Sequence, residues 1–389
     1  MNAIFPFGFP ASTAFYLTLY VLTLIIHVVL MNYVLAGSAW LAVGRVRRLA
    51  NSTLPPSPAG MMLRDWMPFV LGAAITAGVA PLLFVQILYK QSFYTANLLL
   101  LHRWMAIVPV LIVAFYVLYL MKTRWVQRRS GVDALTATIA AGCFAFVAYS
   151  WTENHLLSLN AGVWPAFYEA RRPFYWDAHS LPRLAIWAFG AAPMMATVLV
   201  WQLAAAAQSS SAAAFSEHGS SAAPAAGIGG VSASETIRRI ARVAIAGLVL
   251  AGAGVVCYAA IEPRVRNAAT SILAWPYLAI ALIGAAVQGW KWFELSRRGE
   301  VERSSLALLC AGALALLLGM TVFREAIRLN SLDITALYSQ HAAAAQLGGF
   351  RVFAIFLLLG VALITLCVRV VTRGTRGESP AGQTASSNS

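Results

Sequence analysis

Polar residues in this chain are confined to short intervals between long apolar stretches. The first stretch covers residues 12–44 and is longer than the ~20 apolar residues needed to cross a bilayer. Similar stretches recur along the chain, which predicts an all-α polytopic membrane protein with about nine transmembrane helices. The predicted spans are 12–43, 67–89, 98–121, 134–158, 182–206, 238–261, 270–293, 304–325 and 350–371.

Composition supports the same class of protein. Hydrophobic residues make up 60% of the 389 and charged residues 11%, which excludes an ordinary soluble domain. No basic segment and no cleavage-type site precede the first span, so we expect that helix to be retained rather than removed as a signal peptide. The net charge of +14 resides in short intervals beside the spans, which indicates membrane topology rather than nucleic-acid binding.

The basic residues also predict an orientation. Of the 28 lysines and arginines, 18 lie beside one set of span ends and 10 beside the other. The positive-inside rule places the larger set in the cytoplasm, with the amino terminus outside and, after nine spans, the carboxyl terminus inside. We expect a multi-pass protein of a bacterial cytoplasmic (inner) membrane, in contact with lipid.

The spans predict four segments. Residues 1–206 form a five-helix membrane core, and residues 238–372 form a four-helix membrane portion. Residues 207–237 are rich in Ser, Ala and Gly, which is typical of a flexible linker, here cytoplasmic, and residues 373–389 are expected to be a disordered tail. The four cysteines are isolated within apolar runs, a pattern that excludes covalent haem attachment and a zinc site.

His27 lies near the middle of the first span. An intramembrane histidine needs a polar partner, and ionisable residues at such depth are frequently functional. One interpretation is a hydrogen bond that holds the ring against another helix. The other is an axial ligand to the iron of a b haem.

The second span ends in amide and phenol groups. Gln86, Tyr89, Gln91 and Tyr94 are predicted to gather at the outer interface, where they could bind a quinone. An aromatic belt at the membrane boundary would have the same composition.

Further candidates follow the fourth span and end the eighth. His155 and His179 belong to the stretch richest in polar and aromatic residues, and they could be haem ligands, proton carriers or plain loop residues. Arg324 and Arg328 share a helix face at i and i+4 and could hold haem propionates, because a guanidinium fork matches a carboxylate. Alternatively they pair with neighbouring acidic residues, Glu325 and Asp333, in a surface cluster.

The order of three segments resembles subunit I of the cytochrome bd-type quinol oxidases. The first span is similar to that family's first helix, with His27 followed by Leu-Ala-Gly at 35–37. Residues 64–94 resemble the second helix, with its Gly-Val-Ala, and residues 145–155 resemble the fourth helix, with its Trp-x-x-Asn. By position, the resemblance implies that His27 is an axial ligand of a b haem.

The departures from that family restrict the expected activity. The span at 98–121 lacks the family's buried glutamates, and no histidine occurs near Ile186, where the fifth helix would carry one. The long quinol-binding loop is missing between the sixth and seventh spans. We therefore expect a bd-like membrane subunit that does not reduce oxygen by itself. It either keeps one b haem at His27 and passes electrons between quinol and a partner, or only supports that partner, which would be a c-type cytochrome or a second bd-like subunit.

Two other interpretations remain open. The chain could be a cofactor-free quinone-binding anchor, similar to the membrane subunits of polysulfide-reductase-type complexes. It could also be a transporter or a structural assembly protein, although no internal repeat of the kind common in transporters is present. If haem is bound, His102, His155 and His179 are further candidate ligands beside His27.

Overall fold

The structure is a computed structural model that describes residues 3–172, 174–218 and 233–346, with isolated positions between 353 and 366. Within these residues all regular elements are helical, and seven helices are long and apolar enough to span a membrane. An eighth span is obtained if a bent pair, α9 and α10, counts as one. The prediction of an all-α polytopic membrane protein is confirmed.

The described residues form twelve α-helices, eight of which are long and correspond to predicted spans. Their bounds are α1 Ala11–Ala50, α2 Pro58–Leu88, α3 Lys90–Leu120, α4 Arg124–Gln127, α5 Ser130–Leu159, α6 Trp164–Glu169, α7 Ser180–His218, α8 Ala233–Ile261, α9 Pro263–Thr270, α10 Trp275–Arg298, α11 Arg303–Leu329 and α12 Tyr338–Gln346. A compact unit covers Met1–Ala336, and a second unit, which contains α12, begins at Leu337.

Eight of the nine predicted spans coincide with helices. The ninth, 350–371, lies for the most part outside the described residues, as does the tail at 373–389. The interval predicted as a linker begins as a continuation of α7 to His218, and residues 219–232 lie outside the described part of the chain. The short connection after α8 forms α9, which meets α10 at a bend of 96°.

Successive long helices run in opposite directions, so the helix ends lie at two opposite sides of the bundle. At one side, called the basic end, Arg45 at the end of α1 pairs with Asp133 at the start of α5, Nη1 to Oδ2 at 3.1 Å. At the other side, called the polar end, the Tyr277 hydroxyl at the start of α10 donates to the carbonyl of Phe5 at 2.9 Å. The start of α1, the ends of α2 and α5 and the end of α11 all lie at the polar end.

A continuous hydrophobic core joins the first five long helices to the last three of the compact unit. It includes Tyr33 of α1, Met67 of α2, Phe144 of α5, Trp292 of α10 and Leu309 of α11. The sequence boundary at 206–238 therefore does not divide the core. Packing of these side chains holds the helix ends at fixed positions at the polar end.

Helices α10 and α11 touch through their backbones. A Cβ atom added at Gly284 would lie 2.6 Å from the carbonyl oxygen of Gly312, and one added at Gly319 would collide with the carbonyl of Tyr277. Small residues permit such close approach between membrane helices. The contact fixes the position of α11, whose last turns carry Arg324 and Arg328.

Candidate functional site

A buried polar cluster lies where five helices meet at the polar end. Its members come from α1, the α2–α3 junction, α5, α7 and α11. We call it the arginine cluster, and it consists of Tyr20, Tyr89, His155, Arg183, Arg324, Glu325 and Arg328. Polar groups at this depth require partners, because lipid offers them no hydrogen bonds.

His155 accepts hydrogen bonds from two arginines. Arg328 Nη2 lies 2.9 Å from its Nδ1, and Arg324 Nη2 lies 3.5 Å from the same atom. Because guanidinium groups only donate, Nδ1 must be the unprotonated nitrogen, and Nε2 carries the proton in the neutral ring. That Nε2 atom is buried and has no hydrogen-bond partner among the described residues.

The Tyr20 hydroxyl accepts from the same pair of arginines. It lies 3.0 Å from Arg324 Nη1 and 3.3 Å from Arg328 Nη1. The guanidinium of Arg328 also lies 4.7 Å from the centre of the Tyr89 ring, a cation–π distance. Arg324 and Arg328 therefore act from one face of α11, as their i and i+4 spacing predicts.

Glu325 is the carboxylate of the cluster. It is fully buried, accepts a hydrogen bond from the Tyr89 hydroxyl and lies 3.5 Å from Arg328, Oε2 to Nη1. The alternative pairing of the two arginines with acidic neighbours is thus present in part, but it is buried rather than on the surface. Asp333 is exposed and accepts from Thr335 instead.

Arg183, in the first turn of α7, has the fewest partners of the three arginines. It is 5% exposed, and its Nε and Nη2 atoms are buried without a hydrogen-bond partner among the described residues. Its guanidinium lies 5.8 Å from the ring centre of Tyr258 on α8. The cluster contains three guanidinium groups and one carboxylate, Glu325, which leaves an excess of two positive charges.

His27 lies against α2 in an orientation set by the backbone. Its Nδ1 atom lies 3.0 Å from the carbonyl oxygen of Ala74. A carbonyl only accepts, so Nδ1 carries the proton and Nε2 keeps its lone pair. The ring fits because Gly78 has no side chain: a Cβ there would lie 2.9 Å from Cε1 of His27.

This tautomer is the one that a histidine ligand to iron through Nε2 would require. Histidines that bind metals generally donate their other ring N–H to a carbonyl or carboxylate, which fixes the tautomer. Nε2 of His27 makes no hydrogen bond to any described residue. His27 follows Tyr20 by two helical turns, about 10 Å along α1 on nearly the same face, so cationic groups lie beyond it toward the polar end.

The other candidate histidines are held differently. The Nδ1 lone pair of His155 is engaged by arginines, and His102 is exposed. His179 has Nδ1 3.2 Å from Asp177 Oδ2 and Nε2 3.4 Å from Glu262 Oε2. Among the described residues, no group of three or more His, Cys, Asp or Glu side chains could hold a bare metal ion.

A cavity of about 250 Å³ opens beside His179. Tyr175, Asp177 and Glu262 line it, and the Tyr175 hydroxyl donates to Asp177 at 2.8 Å. Burial and this carboxylate raise the pKa of Tyr175 to about 12. Burial opposes ionisation of Asp177, but hydrogen bonds from Tyr175 and His179 outweigh it and lower the pKa of the carboxyl.

The four residues predicted to bind a quinone do not form one group. Tyr89 is buried and turns inward to Glu325. Tyr94 donates to Gln86 at 3.3 Å on the exposed surface of the bundle, and Gln91 is also exposed. Of the predicted quinone site, the hydrogen-bonded surface pair of Gln86 and Tyr94 is the part that the structure brings together.

Sequence reasoning did not single out Arg183 or the pair formed by Arg103 and Glu153. Arg103 Nη2 lies 2.8 Å from Glu153 Oε1, and this carboxylate also accepts from the backbone of Tyr175. The next residue, Asn154, donates to Asn97 at 2.5 Å. For Arg183 a signal existed, since a charged residue just inside a predicted span is a functional candidate.

No protein-family model matches the chain, and no curated protein matches its sequence.

Proposed function

We propose that the protein is a cytochrome bd-like membrane subunit of a respiratory electron-transfer complex, with one b haem held by His27. The observation that carries the proposal is the hydrogen bond from Nδ1 of His27 to the Ala74 carbonyl. It leaves the lone pair of Nε2 oriented inside the membrane, where it could bind iron. When bound there, haem would supply a one-electron carrier.

The arginine cluster supplies the second half of the support. Arg324 and Arg328 lie toward the polar end from His27 and would hold the two propionates. Tyr20 and His155 orient these guanidinium groups by accepting from them. In this proposal His155 and His179 position charged groups and leave the iron to His27.

Quinol would approach from the lipid. The Gln86–Tyr94 pair lies on the exposed surface of the bundle near the polar end and offers both a donor and an acceptor to a quinone ring. Electrons would pass between quinol and a partner cytochrome, either a c-type cytochrome or a second bd-like chain. We place the protein in a bacterial inner membrane with its polar end outside, because the basic residues gather at the other end.

A haem assay with a matched control tests the proposal. The protein is expressed with ample haem, purified, and examined by pyridine haemochrome assay and reduced-minus-oxidised difference spectrum. The wild type should show a b-type signal that His27→Ala abolishes and that His102→Ala, at an exposed histidine, leaves intact. A colourless wild type, or an unchanged signal in His27→Ala, would refute haem ligation by this residue.

A second candidate function is a cofactor-free quinone anchor, which the Gln86–Tyr94 hydrogen bond favours. A protein without haem that retains quinone through extraction, and loses it on Gln86→Ala, would support that function. Gln91→Ala is the control, because that exposed side chain lies outside the pair.

A further inference from the structure

We infer that the arginine cluster is a binding site for a ligand with two negative charges, carried by carboxylate or phosphate-type oxygens, and that Arg183 is the arm that receives it. The inference goes beyond the proposed haem subunit, because it holds whether or not His27 binds iron. It rests on the charges and unpartnered donors of the cluster.

The first step is the distribution of charge. Arg328 has Glu325 as its counter-ion at 3.5 Å. Arg324 donates only to neutral acceptors, Tyr20 and His155, at 3.0 Å and 3.5 Å. Arg183 has no carboxylate partner among the described residues, although it is almost completely buried. Two guanidinium charges thus lack counter-ions, and a buried charge is stable only when it is paired.

The second step is the chemistry of the free atoms. Four buried nitrogens of the arginine cluster have no hydrogen-bond partner among the described residues: Nε and Nη2 of Arg183, Nε of Arg324 and Nε2 of His155. All four are N–H donors, since Nδ1 of His155 already accepts. Arg324 Nη2 lies 3.5 Å from Nδ1 of His155, and Arg183 is buried in the first turn of α7 at the same end of the bundle. Oxygen anions are the complement of such a donor set, and the guanidinium fork suits carboxylate and phosphate geometry.

The third step is access. The cavity of about 250 Å³ is lined by Tyr258, whose ring centre lies 5.8 Å from the Arg183 guanidinium, and by Leu156 and Ile327, which precede or follow His155 and Arg328 in the sequence. No residue of the cluster lines this cavity itself, and we infer that a small dianion enters past the Tyr258 ring, which contacts both the cavity and Arg183. The same chemistry is available from a second source, the two propionates of a haem held at His27.

The test is thermal unfolding of the full chain in detergent, in haem-free and haem-loaded form. Sodium phosphate and sodium succinate are titrated against sodium chloride at matched ionic strength. Wild type is compared with Arg183→Gln, which removes the charge, and with Arg183→Lys, which keeps the charge but not the fork. Arg172→Gln, at an exposed arginine, is the control.

Three results support the inference. In dianion-free, haem-free buffer, Arg183→Gln should melt at a higher temperature than wild type, because an uncompensated buried charge has been removed. A saturable rise in melting temperature with phosphate or succinate, lost in Arg183→Gln and kept in Arg172→Gln, would identify a diffusible anion. A loss of haem per protein in Arg183→Gln without any anion response would identify the propionates.

The opposite pattern overturns it. If Arg183→Gln melts below wild type without ligand, and anion response and haem content match wild type in both Arg183 variants, Arg183 is only a structural residue. Should Arg183→Gln fail to fold, Arg183→Lys with an unchanged anion response and haem content leads to the same conclusion. Failure of haem binding in the wild type would refute the proposed function alone, since the anion titration of the haem-free protein would still decide this inference.

Discussion

Arg328 donates to Nδ1 of His155 at 2.9 Å and thereby joins α11 to α5 across 173 positions of sequence. The contact fixes the tautomer of the imidazole, because an arginine cannot accept. His155, for which the sequence leaves haem ligation, proton transfer and a plain loop position open, accepts at Nδ1 from two cationic side chains. The same contact holds the last turns of α11 against α5.

The Tyr89 hydroxyl should contribute measurably to stability. Tyr89→Phe leaves a buried oxygen of Glu325 without its donor, so we expect a loss of about 1–3 kcal/mol in the free energy of unfolding. Tyr94→Phe removes an exposed hydrogen bond to Gln86 and should change little. Denaturant titration of both variants in detergent measures the difference, and equal effects would contradict the buried position of Tyr89.

Gly78 should tolerate no side chain. A Cβ at this position would lie 2.9 Å from Cε1 and 3.0 Å from Nδ1 of His27, so Gly78→Ala must displace the ring from the Ala74 carbonyl. We expect a loss of about 1–3 kcal/mol from overpacking, and less haem per protein where haem is bound. Gly72→Ala on the same helix meets nothing within 4 Å and should be neutral or slightly stabilising. A stable Gly78→Ala variant with wild-type haem content would show that the ring is free to move.

The pair of Arg45 and Asp133 should anchor the basic end. Arg45→Ala removes the ion-pair partner of Asp133, whose side chain is 4% exposed. We expect a loss of about 3–5 kcal/mol, because breaking one partner of a buried pair leaves an uncompensated charge. Arg47→Ala, at an exposed arginine, should stay near wild type in the same unfolding assay. Similar losses in the free energy of unfolding for both variants would mean that water screens the pair of Arg45 and Asp133.

Asp177 should give the polar end a stability that depends on pH. Its pKa is lowered in the folded protein from the ordinary value of 3.8, since hydrogen bonds from Tyr175 and His179 outweigh burial. The folded state therefore binds the proton less readily than the unfolded state. The stabilisation is fully present above the ordinary pKa and is lost as the pH falls through it toward the folded pKa.

Melting curves from about pH 7 to about pH 3 measure this effect. Asp177→Asn should melt below wild type at neutral pH, and the gap should narrow in acid. A gap that stays constant over the whole range would mean that the carboxylate charge contributes nothing. Glu169→Gln is a suitable control, because this exposed carboxylate forms no hydrogen bond or ion pair with the described residues.

The spans and the arginine face could be predicted because their signals are local. Hydropathy alone predicts the eight long helices α1, α2, α3, α5, α7, α8, α10 and α11, although several of them extend beyond the predicted bounds, since about twenty apolar residues in a row have few other structures available. The spacing of Arg324 and Arg328 likewise fixes a common side of α11, and both contact the Tyr20 hydroxyl. These features depend only on residues close together in the chain.

Convergence of distant helices could not be predicted in the same way. Tyr89 was expected beside Gln86, but α2 ends at Leu88 and α3 begins at Lys90, so Tyr89 occupies the junction and turns toward Glu325. Arg183 belongs to the cluster only because α7 packs beside α5 and α11, and no local sequence pattern predicts that packing. The sequence therefore predicts which helices exist, while partners within the cluster emerge only from their packing.

The backbone contact between α10 and α11 has a mechanical consequence. The backbones approach directly at Gly319 and Tyr277, so no side chains lie between them that could rearrange to let the two helices slide or rotate. Tyr277 is itself tied to Phe5 ahead of α1. If the arginines of α11 were displaced, α10 and the residues before α1 would therefore move with them as one rigid body. A change at the cluster would then shift the backbone at the polar end of the bundle.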